Sequence, residues 1–279
     1  MELTSSLNPL QQHVRAIVYG PPGNTKTASS VTMSDVCPSD WTHQRLTAAT
    51  LPQRTLVTLD DMLWIGFDSQ ALLGFKQLGV AAPIFDLSAT QTTRLPDELR
   101  DVVAQTVERV RTGKTKTVVV DTVSALDELL TLMLRDRGLD GFDLYRELLV
   151  QHLRFALSLK ELQCNILFLC HAKAAADTVA TSNSNSAVTA AATAAKKQAA
   201  SGTATIIPQI TGAALNHYRR DVSLIFSVSR GMQTGPDKRP VDGFWFNARH
   251  KEFDAKSRLL LPDVLPADWR VVRQHLGGL

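Results

Sequence analysis

The sequence contains few cysteines and no long apolar run. Its three cysteines are odd in number and show no CxxC spacing, so neither a disulfide framework nor a cysteine metal site is predicted. The longest apolar run, residues 166–170, is far too short to span a bilayer, and the N-terminus has no basic stretch followed by an apolar core. We therefore expect a soluble cytoplasmic protein that has no membrane partner.

An excess of charge of either sign is also absent. Lys and Arg number 30 and Asp and Glu number 27, which gives a formal net charge of +3. This mildly basic balance permits an acidic partner such as nucleic acid but does not require one. The 279 residues, 44% of them hydrophobic, suffice for one large α/β domain that covers residues 1–279.

Short apolar runs alternate with amphipathic stretches along the first 170 residues. Apolar runs predict strands at 13–19, 55–59, 82–87, 117–120 and 165–170. Helical spacing of apolar residues predicts helices at 97–111, 126–134 and 144–162, with a weaker helix from residue 28. This alternation predicts an α/β fold with a mostly parallel sheet flanked by helices. Further strands at 222–228 and 244–247 predict a C-terminal antiparallel extension, followed by a short tail from about residue 261.

Residues 174–205 contain no aromatic residue and almost no large apolar residue. Ala, Thr, Ser, Asn and Gly make up nearly all of this stretch. Such a composition cannot bury enough apolar surface to form a core, so it predicts a mobile loop.

A glycine-rich turn follows the first predicted strand. The turn and the residues after it are Gly20, Pro21, Pro22, Gly23, Asn24, Thr25, Lys26 and Thr27. When a strand is followed by such a turn and then by a helix, the backbone N–H groups of the turn and of the helix N-terminus point toward one place, where they can bind phosphate oxygens. In this arrangement Lys26 reaches the β- and γ-phosphates, and the Thr27 hydroxyl binds Mg²⁺. The segment therefore predicts a nucleotide site with ATP and Mg²⁺ as ligands.

One position of this phosphate loop departs from the usual pattern. Thr25 stands where a glycine normally precedes the lysine. Its Cβ either crowds the phosphate or requires a shifted backbone, which would reduce affinity. The alternative interpretation is a Pro-Gly turn followed by an ordinary surface Lys-Thr pair.

Asp121 ends the Val-rich strand 117–120 and is the predicted partner of the phosphate loop. A carboxylate at this place matches the Walker B role, in which it holds Mg²⁺ beside Thr27. The alternative is a helix cap for the helix from Val123. Because the phosphate loop lies upstream, we favour the metal role.

At Asp121 the sequence resembles a known family. The segment Asp121-Thr-Val-Ser-Ala-Leu126 is similar to the Walker B segment of RecA-type ATPases, which reads Asp-Ser-hydrophobic-x-x-Leu. His171 follows the next strand, where RecA-like proteins place a residue that senses the γ-phosphate. A mobile DNA-binding loop follows there in those proteins, as residues 174–205 follow here. Thr211-Gly-Ala-Ala-Leu-Asn-His-Tyr218 also resembles a RecA stretch that precedes a strand.

Within this family the pattern resembles the phage-encoded branch linked to single-strand annealing and recombination. That branch has a His after the sensor strand and a late Ala-Lys-x-Arg element, here Ala255-Lys-Ser-Arg258. The resemblance covers residues 13–260. It implies a RecA-like fold, work on single-stranded DNA in the host cytoplasm, and a homo-oligomer in which Lys256 and Arg258 contact a neighbour's nucleotide. The same two residues also fit a solvated strand.

The resemblance fails at the glutamate that activates the attacking water. RecA-like enzymes carry it just after the second strand, where this chain has Asp60 and Asp61. Either carboxylate can substitute through a closer backbone or a bridging water, or both are solvated turn residues. His171 likewise fits either the sensor role or a structural role. Slow hydrolysis and binding without turnover therefore both remain open.

In the segment from His171 to Arg220, basic residues outnumber acidic ones. The basic residues are Lys173, Lys196, Lys197, Arg219 and Arg220, and Asp177 is the only acidic residue of the segment. A flexible, cationic loop next to the sensor residue predicts contact with single-stranded DNA. The alternative is a generic Ala-rich linker.

Taken together, these features predict a RecA-like ATPase that acts slowly on ATP and is stimulated by single-stranded DNA. A nucleotide-gated DNA-binding or scaffold protein without turnover is the first alternative. A small-molecule P-loop kinase is the second, although the sequence offers no lid with clustered arginines.

Overall fold

The structure is a computed structural model that describes residues 13–23, 25–38, 56–69, 75, 79–174, 206–211, 213–234, 240–249, 255–257 and 259–277. The strands are β1 (Arg15–Gly20), β2 (Val57–Thr58), β3 (Met62–Gly66), β4 (Val80–Ala81), β5 (Ile84–Asp86), β6 (Thr117–Asp121), β7 (Asn165–Ala174), β8 (Ile206–Pro208), β9 (Leu224–Thr234), β10 (Pro240–Asn247), β11 (Lys256–Ser257) and β12 (Val264–Pro266). The helices are α1 (Lys26–Val31), α2 (Leu95–Arg111), α3 (Val123–Asp136), α4 (Gly141–Lys160), α5 (Ala214–Asp221) and α6 (Trp269–His275).

One sheet organises the described residues, with strand order β12-β10-β9-β1-β7-β6-β3-β5. The strands from β9 to β5 run parallel to their neighbours. β10 and β12 continue the sheet in antiparallel pairing, β11 pairs with β9, and β8 pairs with β7. The predicted fold class, a mostly parallel sheet flanked by helices with an antiparallel C-terminal extension, is confirmed.

Helices cover both faces of this sheet, which explains why its central strands are apolar throughout. Val18 of β1 faces a core that includes α1 and α6, whereas Ile17 and Tyr19 face a core built with α2, α3, α4 and α5. Each fully buried Val, Ile or Leu contributes about 1.5–3 kcal/mol. A parallel sheet covered on both sides therefore needs no polar alternation along its strands.

The parallel register brings the ends of four strands to one edge of the sheet, here called the carboxyl edge. Gly20 of β1 is paired with His171 of β7, and Gly66 of β3 is paired with Asp121 of β6. The opposite edge, here called the amino edge, carries the strand beginnings, such as Met62 opposite Thr117. Ligand sites of parallel α/β sheets lie outside the carboxyl ends of the strands.

The second main-sheet strand differs from the prediction. Residues 55–59 contribute only β2, which pairs with β4 in a separate two-stranded sheet. The strand that enters the main sheet is β3, five residues all buried between β5 and β6. From the sequence, the second strand of the main sheet was predicted to end at residue 59, because Asp60 and Asp61 resemble the turn after a strand. The strand of the main sheet begins only after this turn.

The predicted C-terminal tail from about residue 261 contributes a strand and a helix to the fold. β12 pairs with β10, and Trp269 of α6 is fully buried against Phe226 and Phe246. The backbone N–H of Trp269 donates to the Thr32 hydroxyl at 2.8 Å. The predicted loop at 174–205 lies outside the described residues except for Ala174, which ends β7.

Candidate functional site

The phosphate loop lies at the carboxyl edge, between the end of β1 and the start of α1. A Cβ on Gly20 would lie 2.9 Å from the carbonyl oxygen of Val228, so the neighbouring strand requires glycine there. Gly23 has a φ of 78°, which L side chains rarely adopt. Pro21 and Pro22 lie between them, and Asn24 lies outside the described residues.

Thr25 takes the left-handed backbone that a glycine would adopt. Its φ of 47° and ψ of 23° place it immediately before α1. A β-branched residue with positive φ is a conformational outlier. Its hydroxyl oxygen is buried without a hydrogen-bond partner among the described residues. Thr25 therefore holds its place before α1 at a conformational cost.

Lys26 is folded back onto the phosphate loop. Its Nζ donates to the carbonyl oxygens of Gly20 at 2.9 Å and Pro21 at 3.0 Å, and the residue is only 6% exposed. Burial lowers the pKa of Lys26, while the carboxylates of Asp121 and Asp68 act in the opposite direction. Loop carbonyls therefore hold a buried ammonium at the place where a phosphate would bind.

Asp121 is linked directly to the first helix. The Thr27 hydroxyl donates to Oδ2 of Asp121 at 2.6 Å. Burial raises the pKa of Asp121 to about 6, against the hydrogen bond from Thr27 and the charge of Lys26. The alternative of a helix cap fails, because Thr122 caps α3 by accepting a hydrogen bond from the backbone N–H of Ala125 at 3.1 Å. The peptide bond between Asp121 and Thr122 is cis.

Asp68 is the site residue that the sequence interpretation missed. It follows β3 by two residues, and the backbone N–H of Phe67 donates to the carbonyl oxygen of Asp121 at 2.8 Å. Its charge contributes to the pKa values of Lys26 and Asp121. The sequence contains a pattern that could have identified Asp68. The apolar run 62–67 is followed by an aspartate, just as the apolar run before Asp121 is.

His171 lies opposite Asp68 across the end of β6. Its Nε2 is 3.7 Å from Oδ2 of Asp68. Burial and the charge of Lys26 lower the pKa of His171, so the neutral imidazole prevails at neutral pH. Its Nδ1 is buried and has no hydrogen-bond partner in the described part of the chain. The ring nitrogen that faces Asp68 is therefore Nε2.

Asp60 and Asp61 lie at the amino edge, away from the phosphate loop. The carbonyl oxygen of Asp61 accepts from the backbone N–H of Lys116, next to the start of β6. Its Oδ2 accepts from the backbone N–H of Asp35 at 2.9 Å, and the Ser34 hydroxyl donates to Oδ1. The prediction that they replace the water-activating glutamate is wrong, because the whole length of β3 separates them from the carboxyl edge.

The predicted basic residues are only partly described. The Nζ of Lys173 donates to the carbonyl oxygen of Ile210 at 3.2 Å, Arg219 is half-buried near Tyr19, and Arg220 is exposed. Lys196, Lys197 and Arg258 lie outside the described residues. Lys256 pairs through its backbone with Ile225 of β9.

The donor set fits Mg²⁺ together with a nucleotide. Hydroxyl and carboxylate oxygens are ligands that Mg²⁺ prefers, and Mg²⁺ usually completes its shell with water and phosphate oxygens. Thr27 and Asp121 already lie within hydrogen-bond distance of each other. Among the described residues no group of three or more His, Cys, Asp or Glu would hold a metal alone. None of the described helices is both long and apolar enough to cross a bilayer.

Comparison with known proteins adds little to this geometry. No protein-family model matches the chain, and no curated protein matches it. Among solved structures, the chain is similar to a KaiC-like protein from the hyperthermophilic archaeon Pyrococcus horikoshii OT3, with 6% identity, 84% of each chain covered and a TM-score of 0.36. Because this TM-score is low, the fold class is assigned from the strand order and the phosphate loop of this chain alone.

Proposed function

We propose that this chain binds ATP with Mg²⁺ at the phosphate loop and hydrolyses the nucleotide slowly. The observation that supports this is the convergence of Lys26, Thr27, Asp121, Asp68 and His171 at one edge of the sheet. A buried ammonium, a hydroxyl–carboxylate pair and a carboxylate–imidazole pair are the groups that phosphoryl transfer uses.

In this proposal Lys26 exchanges its loop carbonyls for β- and γ-phosphate oxygens. Thr27 and Asp121 hold Mg²⁺, which neutralises phosphate charge when bound. The backbone N–H groups of the loop that starts at Gly20 bind the remaining phosphate oxygens.

Asp68 takes the role of the carboxylate that orients the attacking water. It accepts the water proton as the water oxygen bonds to the γ-phosphorus and the bond to the β–γ bridging oxygen breaks. His171 stands beside it as a neutral imidazole, able to donate a hydrogen bond to the γ-phosphate or the water. Because aspartate is shorter than glutamate, we expect slower turnover than a glutamate would support.

The test of this assignment is phosphate release by purified protein with ATP and Mg²⁺. Asp68→Asn should lower turnover about 100-fold, the scale of a lost general base, while ATP affinity measured by calorimetry stays close to wild type. Asp60→Asn is the matched control, since Asp60 is exposed at the amino edge, and it should keep full activity. Equal rates for Asp68→Asn and wild type would remove Asp68 from the chemistry.

Nucleotide binding itself is tested by Lys26→Ala. We expect ATP binding to be lost in calorimetry, because the variant removes the buried ammonium that bonds the carbonyl oxygens of Gly20 and Pro21 in the phosphate loop. Unchanged affinity in a folded variant would contradict the proposal.

We further propose that the partner is single-stranded DNA, that the protein acts in phage-type recombination or replication, and that it works as a homo-oligomer. Support comes from the acid-poor basic segment between His171 and Arg220 and from the resemblance to RecA-like proteins. Lys256 and Arg258 remain the candidates for contact with a neighbour's nucleotide. Phosphate release measured with and without a single-stranded oligonucleotide, alongside sizing of the assembly, tests these points.

A binding protein without turnover is the second candidate. The left-handed Thr25 and the short Asp68 side chain favour it, because both weaken a hydrolytic site relative to Gly and Glu. Tight ATP binding without phosphate release, with or without DNA, would decide for this candidate.

A further inference from the structure

A small pocket lies at the amino edge, at the other end of β1 from the phosphate loop. Its polar lining consists of Arg15 at the start of β1, Lys160 at the end of α4, and His217 and Asp221 of α5. Apolar side chains of α4 and β7, among them Phe168, form most of the remaining wall. Apolar walls lower the local dielectric constant, so charges that face this pocket act more strongly than they would at an open surface.

Arg15 brings a buried positive charge to the pocket. The residue is 8% exposed, and its Nη2 donates to the carbonyl oxygen of Leu162 at 2.9 Å. This bond uses one of the five N–H donors of a guanidinium, and a carbonyl oxygen does not neutralise the charge. Asp221, the carboxylate of the same pocket, pairs with Lys160 at 3.4 Å, and no ion pair joins Arg15 to a carboxylate of the described residues. Buried arginines are normally paired with an anion, so this one lacks its usual partner.

The ring of His217 adds a second polar group without a partner. Its Nδ1 is buried and forms no hydrogen bond within the described part of the chain. Burial and the charge of Arg220 lower the pKa of His217, so the imidazole is neutral at neutral pH. A neutral imidazole carries its proton on one of its two nitrogens, and a proton on Nδ1 makes that nitrogen a hydrogen-bond donor.

The charges around the pocket favour an anion. Arg15 and Lys160 are positive, Asp221 offsets one of them, and Arg220 is exposed next to His217. The balance is therefore positive, and it excludes a cation as the ligand. Because the pocket is narrow, only a small group fits inside it.

We propose that this pocket binds one small oxyanion, a carboxylate or a phosphate group, between the guanidinium of Arg15 and Nδ1 of His217. The planar fork of a guanidinium matches both groups through paired hydrogen bonds. Lys160 adds positive charge at the rim of the pocket. The inference goes beyond the proposed function and does not depend on it, because the length of β1 separates this pocket from the phosphate loop.

An NMR titration of the full chain with inorganic phosphate tests the site. The backbone amide signals of Ile166 and Tyr218 report the pocket, and those of Gly20 and Gly23 report the phosphate loop, which phosphate also fits. We expect saturable shifts of the Ile166 and Tyr218 signals. Shifts confined to Gly20 and Gly23, or no saturable shift at all, would overturn the inference.

Arg15→Gln should weaken phosphate binding at the pocket about tenfold or more, the scale of a lost charge-assisted hydrogen bond. Arg154→Gln is the matched control, because Arg154 is an exposed residue of α4 outside the pocket and its loss changes the net charge equally. This control should keep the wild-type affinity, and equal weakening by both variants would overturn the inference.

A second variant covers the case in which Arg15→Gln does not fold. His217→Leu removes the ring donor from a partly exposed position and should weaken phosphate binding about fivefold, the scale of a neutral hydrogen bond. Wild-type affinity in His217→Leu would contradict the assigned contact.

Titrations with acetate and with sodium chloride at matched ionic strength identify the ligand class. Tighter binding of acetate assigns the pocket to a carboxylate, and tighter binding of phosphate assigns it to a phosphate group. Shifts of equal size with chloride would mean that general charge screening causes them, and the proposed oxyanion site would then be wrong.

Discussion

Thr25 shows how one residue can hold a functional loop in an unfavourable conformation. Its φ of 47° lies in the left-handed region, and its hydroxyl oxygen is buried without a partner among the described residues. Left-handed backbone costs an L residue about 1–2 kcal/mol, and a buried unpaired hydroxyl adds to this. Both costs disappear when the side chain is removed.

Thr25→Gly should therefore stabilise the protein. We expect the free energy of unfolding to rise by about 1 kcal/mol, after allowance for the greater freedom of glycine in the unfolded chain. Urea unfolding followed by circular dichroism measures the change. A lower stability would mean that packing of the Thr25 side chain outweighs the strain.

Gly23→Ala gives the reverse experiment in the same loop. The φ of Gly23 is 78°, and no atom lies within 4 Å of an added Cβ, so the cost is conformational and not steric. Stability should fall by about 1 kcal/mol. A neutral result would show that this loop readily changes its backbone.

At the scale of elements, a buried polar chain ties three helices together. Nε2 of His152 on α4 lies 2.8 Å from Oδ1 of Asp127 on α3, and Nδ1 lies 2.8 Å from the hydroxyl of Tyr218 on α5. Burial would raise the pKa of Asp127, but the hydrogen bonds from His152 and Thr211 outweigh it and lower the value. His152 is fully buried, so removal of its partner leaves a polar group unpaired.

Asp127→Ala should destabilise the protein by about 3 kcal/mol at pH 7, the scale of a broken buried pair. Because the folded pKa of Asp127 lies below its ordinary value of 3.8, its stabilisation is present above that value. The stabilisation is lost as the pH falls through the folded pKa. Chemical unfolding at pH 7 and at acid pH should therefore show a shrinking difference between variant and wild type.

Glu128→Ala is the matched control for Asp127→Ala. Glu128 neighbours Asp127 on α3 but is exposed. Its loss should change stability by less than about 0.5 kcal/mol at either pH. An equal effect of both variants would mean that helix propensity, rather than the buried chain, stabilises this region.

At the scale of the whole molecule, the proposed nucleic-acid contact depends on basic residues outside the described part of the chain. Each lysine that contacts a phosphate of a single strand contributes about 0.7 unit to the slope of log affinity against log salt. Lys196→Ala combined with Lys197→Ala should weaken binding of a single-stranded oligonucleotide and flatten that slope by about 1.4 units. Fluorescence anisotropy over a salt titration measures both quantities.

The control for charge loss is Arg111→Ala combined with Lys114→Ala. Arg111 is the last residue of α2 and Lys114 follows it, and both side chains are exposed before the start of β6 at the amino edge. This variant has the same net charge change but should keep the wild-type slope. Identical slopes for wild type and the 196–197 variant would remove that pair from the DNA contact.

Some residues of the candidate site could be identified from the sequence, and one could not. The phosphate loop and Asp121 were predicted because their pattern is local, a strand followed by glycines or by a single carboxylate. Asp68 was missed although the same pattern precedes it, because Asp60 and Asp61 offered a nearer strand end. The pairing of Gly66 with Asp121 places Asp68, and not Asp60 or Asp61, at the same edge of the sheet as Asp121. This pairing joins residues that are distant in the sequence, so a local pattern does not reveal it.

The sequence by itself determined the α/β class, the glycine-rich turn of the phosphate loop and the presence of three helices between residues 95 and 160, with helix ends displaced by up to three residues. Periodicity and turn residues specify these features within a few neighbouring positions. Only the tertiary structure decided that Asp68 and His171 meet and that Asp61 lies at the amino edge. These contacts link residues up to 103 positions apart, and such partners are chosen by strand order and register rather than by local pattern.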